Sequence, residues 1–93
     1  MDIRAGDDRA RAGAIPGALR FQRTVLEWKL DPASPWRAAG APGLDDEVIL
    51  VCNHGYSSSL AAATLVELGF TRAGNLVGGF EAWEAAGLPV ERA

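Results

Sequence analysis

The strongest hydrophobic pattern in the chain is a continuous apolar run from Val48 to Cys52. Acidic residues precede this run, and the polar segment Asn53-His54-Gly55 follows it. A short β-branched run bounded in this way predicts a strand. Because it is apolar at every position, we expect both of its faces to be buried, as in a parallel sheet.

The segment after this strand has the pattern of an amphipathic helix from Ser57 to Leu68. Ala61, Leu65 and Leu68 recur at the i, i+4 and i+7 spacing that places side chains on one helix face. Any of the three serines at its start can cap the helix, and Gly69 stands where a glycine typically ends one.

Weaker patterns predict the remaining elements. Leu76-Val77 is expected to be a short strand, and Phe80–Ala86 a helix closed by Gly87. Other expectations are an extended segment at residues 2–4, a helical turn at 7–12, a turn at 15–17, β-favouring stretches within 19–30, and a long loop over 31–46 with one helical turn near 36–39. Strands alternating with helices predict a small α/β domain with a mainly parallel sheet.

Composition limits the kinds of function. Ninety-three residues are enough for one small domain, here taken as residues 1–93. The net charge of −3 argues against nucleic-acid or anionic-membrane partners, which favour basic surfaces. No apolar run approaches the ~20 residues that span a bilayer. One cysteine and one histidine cannot form a disulfide framework or a structural zinc site, so we expect no metal and a cytoplasmic location.

Cys52 is the candidate for chemistry. It ends the best-predicted strand, and ligands of parallel sheets bind at the carboxyl ends of strands. Successive N–H groups in the short turn that follows, with Gly55 supplying a positive φ, can surround an anion, and the next helix adds its positive end. A thiol held there is a better nucleophile. The alternative is an inert buried cysteine, which is common.

The loop that begins at Cys52 resembles the active-site loop of rhodanese domains, in the form Cys-x-His-Gly-x-Ser. Further segments are similar to family motifs in the same order. They are Asp2-Ile3-Arg4, resembling Asp-x-Arg; Gly13–Ala18, resembling Gly-His-Ile-Pro-Gly-Ala with Ala14 in place of His; and Leu76–Trp83 followed by Gly87–Val90, resembling the C-terminal signature.

This resemblance implies a rhodanese-like domain with helices on both faces of its sheet. It also implies that the first strand and helix of the fold are missing, since the Asp-x-Arg segment closes a central strand in that family. The implied activity is sulfur transfer from a small donor such as thiosulfate to a thiol or cyanide through a persulfide on Cys52, without a cofactor. A partner protein or a preceding domain is a further expectation. The implied site comprises catalytic Cys52, the substrate-binding loop residues Asn53, His54, Gly55, Tyr56, Ser57 and Ser58, and the supporting residues Asp2, Arg4, Gly79 and Trp83.

Several of these residues have a second interpretation. His54 is either a ligand of the thiolate or donor or an ordinary loop residue, and Ser57 and Ser58 either bind sulfur or cap the helix. Trp83 is expected to pack beneath the loop, and Arg4 either reaches the site or forms a surface ion pair with a nearby aspartate.

Two other functions compete with sulfur transfer. One is a non-catalytic rhodanese-like module that binds a partner or carries sulfur. The other is a phosphatase, which needs an arginine in the loop to hold phosphate in a bidentate grip. Many rhodaneses carry Arg where this chain has Ser57, and no Arg or Lys occurs from Asn53 to Val66.

Overall fold

The computed structural model describes residues 1–92 and contains a two-stranded parallel sheet. Strand β1 (Glu47–Leu50) pairs with β2 (Arg72–Asn75), with Glu47 opposite Arg72 and Leu50 opposite Asn75. The α/β class with a parallel sheet, predicted from the alternating pattern, is therefore confirmed.

The first residues of the chain continue this sheet on the other side of β1. The N–H of Val51 donates to the carbonyl of Met1 at 2.8 Å, and the N–H of Ile3 donates to the carbonyl of Val51 at 3.0 Å. On the side of this first segment that faces away from β1, Asp2 forms a parallel bridge with Arg20. The extended segment predicted at residues 2–4 thus lies next to the end of β1, which brings it close to Cys52.

Strand β1 differs from its prediction in its bounds and in one face. It covers Glu47–Leu50 instead of Val48–Cys52, although Val51 still pairs with Asp2. Val48 and Leu50 are buried in the hydrophobic core, whereas Ile49 is 43% exposed. The prediction that both faces are buried is therefore wrong at Ile49, because alternate side chains of a strand point to opposite faces and the core covers only the Val48 and Leu50 side here.

The first half of the chain is more helical than its pattern predicted. Helix α1 covers Gly6–Ala12, in agreement with the helical turn expected there. The β-favouring stretch around Val25-Leu26 is instead a 3₁₀ turn at Arg23–Val25 that leads into helix α2 (Leu26–Leu30). Leu26 and Leu30 are four residues apart and are both buried in the core, so burial on one helix face overrides the local β preference.

Helix α3 (Tyr56–Glu67) is confirmed within a residue of its predicted bounds. Ala61 and Leu65 are fully buried against the sheet. The helix ends as predicted at Gly69, whose φ is 106°, and the N–H of Phe70 donates to the carbonyl of Leu65 at 3.0 Å, as in a Schellman motif. Its start differs, because Gly55 is the N-cap and no serine side chain caps the helix.

Strand β2 lies earlier in the chain than the predicted Leu76-Val77. Leu76 donates its N–H to the carbonyl of Leu50 at 2.9 Å, just past the end of the strand, and Val77 is 84% exposed. Helix α4 (Gly79–Ala85) then follows at nearly its predicted position, with Phe80 buried.

The loop over residues 31–46 contains turns, without the helical turn expected near Trp36. Trp28 of α2 and Trp36 hold this loop by an edge-to-face contact with ring centroids 5.8 Å apart. None of the helices within residues 1–92 has both the length and the apolar character needed to cross a bilayer.

Candidate active site

The sulfur of Cys52 is surrounded by hydrogen-bond donors. Cys52 follows the end of β1, and only 8% of it is exposed. Its Sγ accepts hydrogen bonds from the N–H groups of Gly55 at 3.1 Å and Ser58 at 3.4 Å, and the Ser58 hydroxyl lies 3.3 Å away. The N–H of Ser58 is one of the unpaired donors in the first turn of α3, so the sulfur takes the position of a capping side chain.

These contacts shift the ionisation of the thiol. Desolvation by burial is the largest single effect and raises the pKa of Cys52. The Ser58 hydroxyl and the backbone N–H groups of Ser58, Gly55 and His54 act in the opposite direction and together outweigh it, so the pKa lies below its ordinary value. Hydrogen bonds to the charged form favour that form, and the site therefore stabilises a thiolate.

The shape of the loop depends on close backbone packing against the start of α4. Gly55 has a φ of 92°, and a Cβ there would lie 2.9 Å from the backbone nitrogen of Gly78. Gly79 has a φ of 63°, and a Cβ there would overlap the carbonyl oxygen of Cys52. The first turn of α4 is hydrogen-bonded to the loop, since the Phe80 N–H donates to the Cys52 carbonyl at 2.7 Å.

Asn75, which the sequence pattern did not single out, orients the Ser58 hydroxyl beside the sulfur. Asn75, the last residue of β2, donates its side-chain amide to the Gly55 carbonyl at 3.1 Å and to Ser58 Oγ at 3.2 Å. A carbonyl can only accept, so the amide nitrogen faces both partners. Ser58 Oγ accepts from Asn75 and keeps its own hydrogen for the Cys52 thiolate. The signal in the sequence was weak, because Asn75 lies 17 residues from Ser58 along the chain.

The other loop side chains point away from the sulfur or line the space above it. The Nδ1 atom of His54 lies 2.9 Å from Glu81 Oε2, and both side chains are more than 70% exposed. His54 thus faces solvent and Glu81, and it also lines the cavity that contains Cys52. Tyr56 and Ser57 line the cavity above Cys52, and Tyr56 is 76% exposed.

Asp2 and Arg4 form a buried ion pair beside the site. The guanidinium Nη2 of Arg4 lies 2.8 Å from Asp2 Oδ2, and both side chains are 1% exposed. Arg4 also donates to the carbonyl of Gly13 at 2.8 Å and stacks over the Phe80 ring at 4.1 Å. Its Nη1 atom is shielded from solvent and has no hydrogen-bond partner among residues 1–92. The pair thus joins the first segment of the chain to Gly13 and to α4.

An open cavity of about 370 Å³ lies above Cys52. Its wall combines the loop, the first segment and helix α1, which contributes Asp8, a residue that the sequence analysis did not select. The lining residues are Ile3, Arg4, Ala5, Asp8, Cys52, Asn53, His54, Tyr56 and Ser57.

Trp83 does not line this cavity. Its indole N–H donates to the carbonyl of Pro89 at 2.7 Å, which ties α4 to the segment after it. Within residues 1–92, no three His, Cys, Asp or Glu side chains are grouped in a way that would hold a metal ion.

Comparison with known proteins identifies the architecture. The model of the family described as the rhodanese-like domain matches residues 1–86. The chain belongs to this family. Two solved structures of similar fold have names or descriptions that bear on function.

One similar structure, from Rhodopseudomonas palustris, is described as a protein of unknown function and possible tyrosine phosphatase. It has a TM-score of 0.90 and 37% identity over 97% of this chain and 67% of its own. The human single-domain sulfurtransferase TSTD1 has a TM-score of 0.76 and 32% identity over 90% of this chain and 78% of its own.

Curated relatives include the thiosulfate sulfurtransferase GlpE of Actinobacillus pleuropneumoniae, which is 49% identical over 49 residues, 53% of this chain and 45% of the relative. The GlpE of Vibrio cholerae is 49% identical over 47 residues. This rhodanese-like chain therefore spans about half the length of the curated relatives it matches.

Proposed function

We propose that this rhodanese-like domain is a sulfurtransferase in which Cys52 carries the transferred sulfur as a persulfide. The observation that supports this most is the convergence of two backbone N–H groups and one hydroxyl on Cys52 Sγ at the base of an open cavity. Such a ring of donors stabilises an anionic sulfur, both before and after it takes up a second sulfur atom.

The first half-reaction loads the cysteine. The Cys52 thiolate attacks the outer sulfur of a donor such as thiosulfate, a new S–S bond forms, and the old one breaks. Sulfite leaves with the electron pair of the broken bond. A donor that reaches Cys52 from the cavity leaves the new outer sulfur on the cavity side, where an acceptor can attack it.

The second half-reaction unloads it. Cyanide or an acceptor thiolate attacks the outer sulfur, and the S–S bond breaks in favour of the Cys52 thiolate. The products are thiocyanate or a new persulfide, and the enzyme returns to its starting state. No external oxidant or reductant enters the cycle, so we infer that the domain works without a cofactor.

We further propose a cytoplasmic location. A free thiol whose pKa lies below its ordinary value is readily oxidised, and a reducing compartment preserves it. The partners in this proposal are the small donor and acceptor, with a partner protein or an adjoining domain as a further source or destination of sulfur.

The loop after Cys52 carries no Arg or Lys, which argues against the phosphatase alternative. One similar structure is described as a possible tyrosine phosphatase. Phosphate held by a cysteine loop needs a bidentate arginine, and the segment from Asn53 to Val66 contains neither Arg nor Lys. We expect negligible turnover of aryl phosphates, and Cys52-dependent hydrolysis would favour that alternative.

A steady-state assay of sulfur transfer tests the proposal against a non-catalytic binding or carrier module. Wild type should give the parallel double-reciprocal lines of a ping-pong enzyme when donor and acceptor are varied. Cys52→Ser should have no transfer activity above background, because its hydroxyl cannot form a persulfide. Cys52→Ala is the second control, since it removes the nucleophile entirely. A wild type with no more turnover than these variants would favour the binding module.

A further inference from the structure

The charges around the cavity are nearly all matched within the protein. Arg4 is the arginine on the cavity wall, and its guanidinium is held by buried Asp2 with both side chains 1% exposed. Its unpartnered Nη1 is shielded from solvent, so a substrate in the cavity does not reach it. The loop itself carries no Lys or Arg. Within residues 1–92, the wall thus presents no free guanidinium or ammonium group to a doubly charged anion.

One carboxylate does reach this wall. Asp8 lies in the first turn of α1, lines the same cavity as Cys52, and its side chain is 25% exposed. Arg11, one turn further along α1, lies 2.5 Å from Asp8 Oδ1 but is itself 70% exposed and does not line the cavity. The hydrogen bond from Arg11 lowers the pKa of Asp8, so this carboxylate is charged at neutral pH. A partly screened negative charge therefore faces the substrate.

We propose that Asp8 is a specificity-determining residue that selects the charge of the sulfur donor, favouring the persulfide of an aminothiol over a dianion such as thiosulfate. This inference rests on the sulfurtransferase function proposed above. A carboxylate on the wall of the cavity repels a donor that carries further negative charge and attracts a donor that carries an ammonium group. Charge selection of this kind acts on kcat/KM, because it changes the encounter and the bound state together.

The other ionisable groups near the cavity do not oppose this selection. His54 lines the cavity, but its Nδ1 lies 2.9 Å from Glu81 Oε2, and Arg4 is paired with Asp2. Arg11 acts on this selection most directly, because it is hydrogen-bonded to the Asp8 carboxylate, and Arg4 adds a weaker attraction. Loss of Arg11 should therefore strengthen the selection, whereas loss of the Asp8 charge should weaken it and also leave the Arg11 guanidinium without its partner.

The experiment compares two persulfides of nearly equal size, those of cysteamine and of 3-mercaptopropionate. They differ in the group at the far end of the molecule, which is a positive ammonium in the first and a negative carboxylate in the second. The readout is the second-order rate at which each adds one sulfur to Cys52, followed by mass spectrometry. In wild type the cysteamine persulfide should react faster. Asp8→Asn should reduce the ratio of the two rates by about three- to tenfold, the size expected for a partly screened charge.

Asp7→Asn is the matched control. It removes the same charge from the same turn of α1, but Asp7 is exposed and does not line the cavity, so the ratio should stay within about twofold of wild type. Arg11→Gln should change the ratio in the opposite direction to Asp8→Asn. This second variant keeps the test decisive if Asp8→Asn does not fold.

Three results would overturn the inference. They are a wild type with equal rates for both donors, equal changes in Asp7→Asn and Asp8→Asn, and an Arg11→Gln variant that shifts toward the anionic donor. If both donors load Cys52 without charge preference, the proposed sulfurtransferase function stands and only the role of Asp8 is wrong. If neither of these donors loads Cys52 but thiosulfate does, the role of Asp8 is wrong and the proposed function stands; if none of the three loads it, the proposed function is wrong as well.

Discussion

Asn75 donates its side-chain amide to Ser58 Oγ at 3.2 Å, and through this bond the end of β2 orients the hydroxyl beside the Cys52 sulfur. Ser58 is fully buried at the start of α3, and its Oγ lies 3.3 Å from Cys52 Sγ. A hydroxyl that accepts from Asn75 has its hydrogen free to donate to the thiolate. The ionisation of Cys52 thus depends on a residue from a different strand.

The first prediction follows from this arrangement. Ser58→Ala removes a donor that lowers the pKa of Cys52, so the pKa should rise. Alkylation by iodoacetamide at neutral pH should become roughly three- to tenfold slower. Ser59→Ala is the matched control, because the Ser59 hydroxyl donates to the Tyr56 carbonyl on the exposed side of the same helix. Equal alkylation profiles for Ser58→Ala and wild type would show that the hydroxyl does not stabilise the thiolate.

The second prediction concerns the backbone contact between the loop and α4. In Gly79→Ala the new Cβ overlaps the Cys52 carbonyl, so we expect a loss of at least about 2 kcal/mol in the free energy of unfolding, together with reduced Cys52 reactivity. Gly87→Ala is the control. Its φ of 73° is similar to the 63° of Gly79, but a Cβ there meets no atom within 4 Å.

The Gly87 variant therefore isolates the cost of the backbone conformation, which is about 1 kcal/mol. Urea unfolding of both variants gives the difference. Equal losses of unfolding free energy in the two variants would mean that the loop does not depend on the close contact between Gly79 and the Cys52 carbonyl.

The third prediction tests the ion pair beside the site. Asp2→Asn leaves the Arg4 guanidinium buried without its counter-charge, which should cost about 3 kcal/mol of unfolding free energy. Asp7→Asn on exposed α1 should change it by less than about 0.5 kcal/mol. The urea midpoint at neutral pH provides the comparison. A small loss in Asp2→Asn would indicate that water enters and solvates Arg4.

The fourth prediction links the thiol to stability. Because folding lowers the pKa of Cys52, the folded state favours the thiolate. The stabilisation is fully present above the unfolded thiol pKa of about 8.5 and is lost as the pH falls through the lower folded value. Wild type should therefore gain stability relative to Cys52→Ala as the pH rises through that window. Parallel stability curves for the two proteins would contradict the assignment.

The sequence predicts the elements in which local pattern and core burial agree. For α3 the spacing of Ala61 and Leu65 and the terminal Gly69 lead to the same helix, and the structure contains it. Strand β2 was placed wrongly, because Arg72 and Gly74 show no apolar alternation and their pairing depends on distant β1.

The same reasoning explains which site residues were found. Cys52 and its loop are contiguous in sequence, so the strand end, the glycine and the following helix could be recognised together. Asn75 and Asp8 come from β2 and α1, and only the tertiary fold brings Asn75 to Ser58 and Asp8 to the cavity wall. The helix cap was also misjudged, because the group that accepts the Ser58 N–H is the Cys52 sulfur and not a serine hydroxyl.

The most direct test of the central claim is the mass of the peptide that contains Cys52 after the protein has been exposed to a sulfane-sulfur donor without an acceptor. Thiosulfate, mercaptopyruvate and a low-molecular-weight persulfide serve as donors. The account predicts a gain of one sulfur atom on that peptide, its removal by cyanide or a thiol, and no gain in Cys52→Ser. A wild-type peptide that never gains this mass with any of the three donors would contradict the claim that Cys52 carries sulfur.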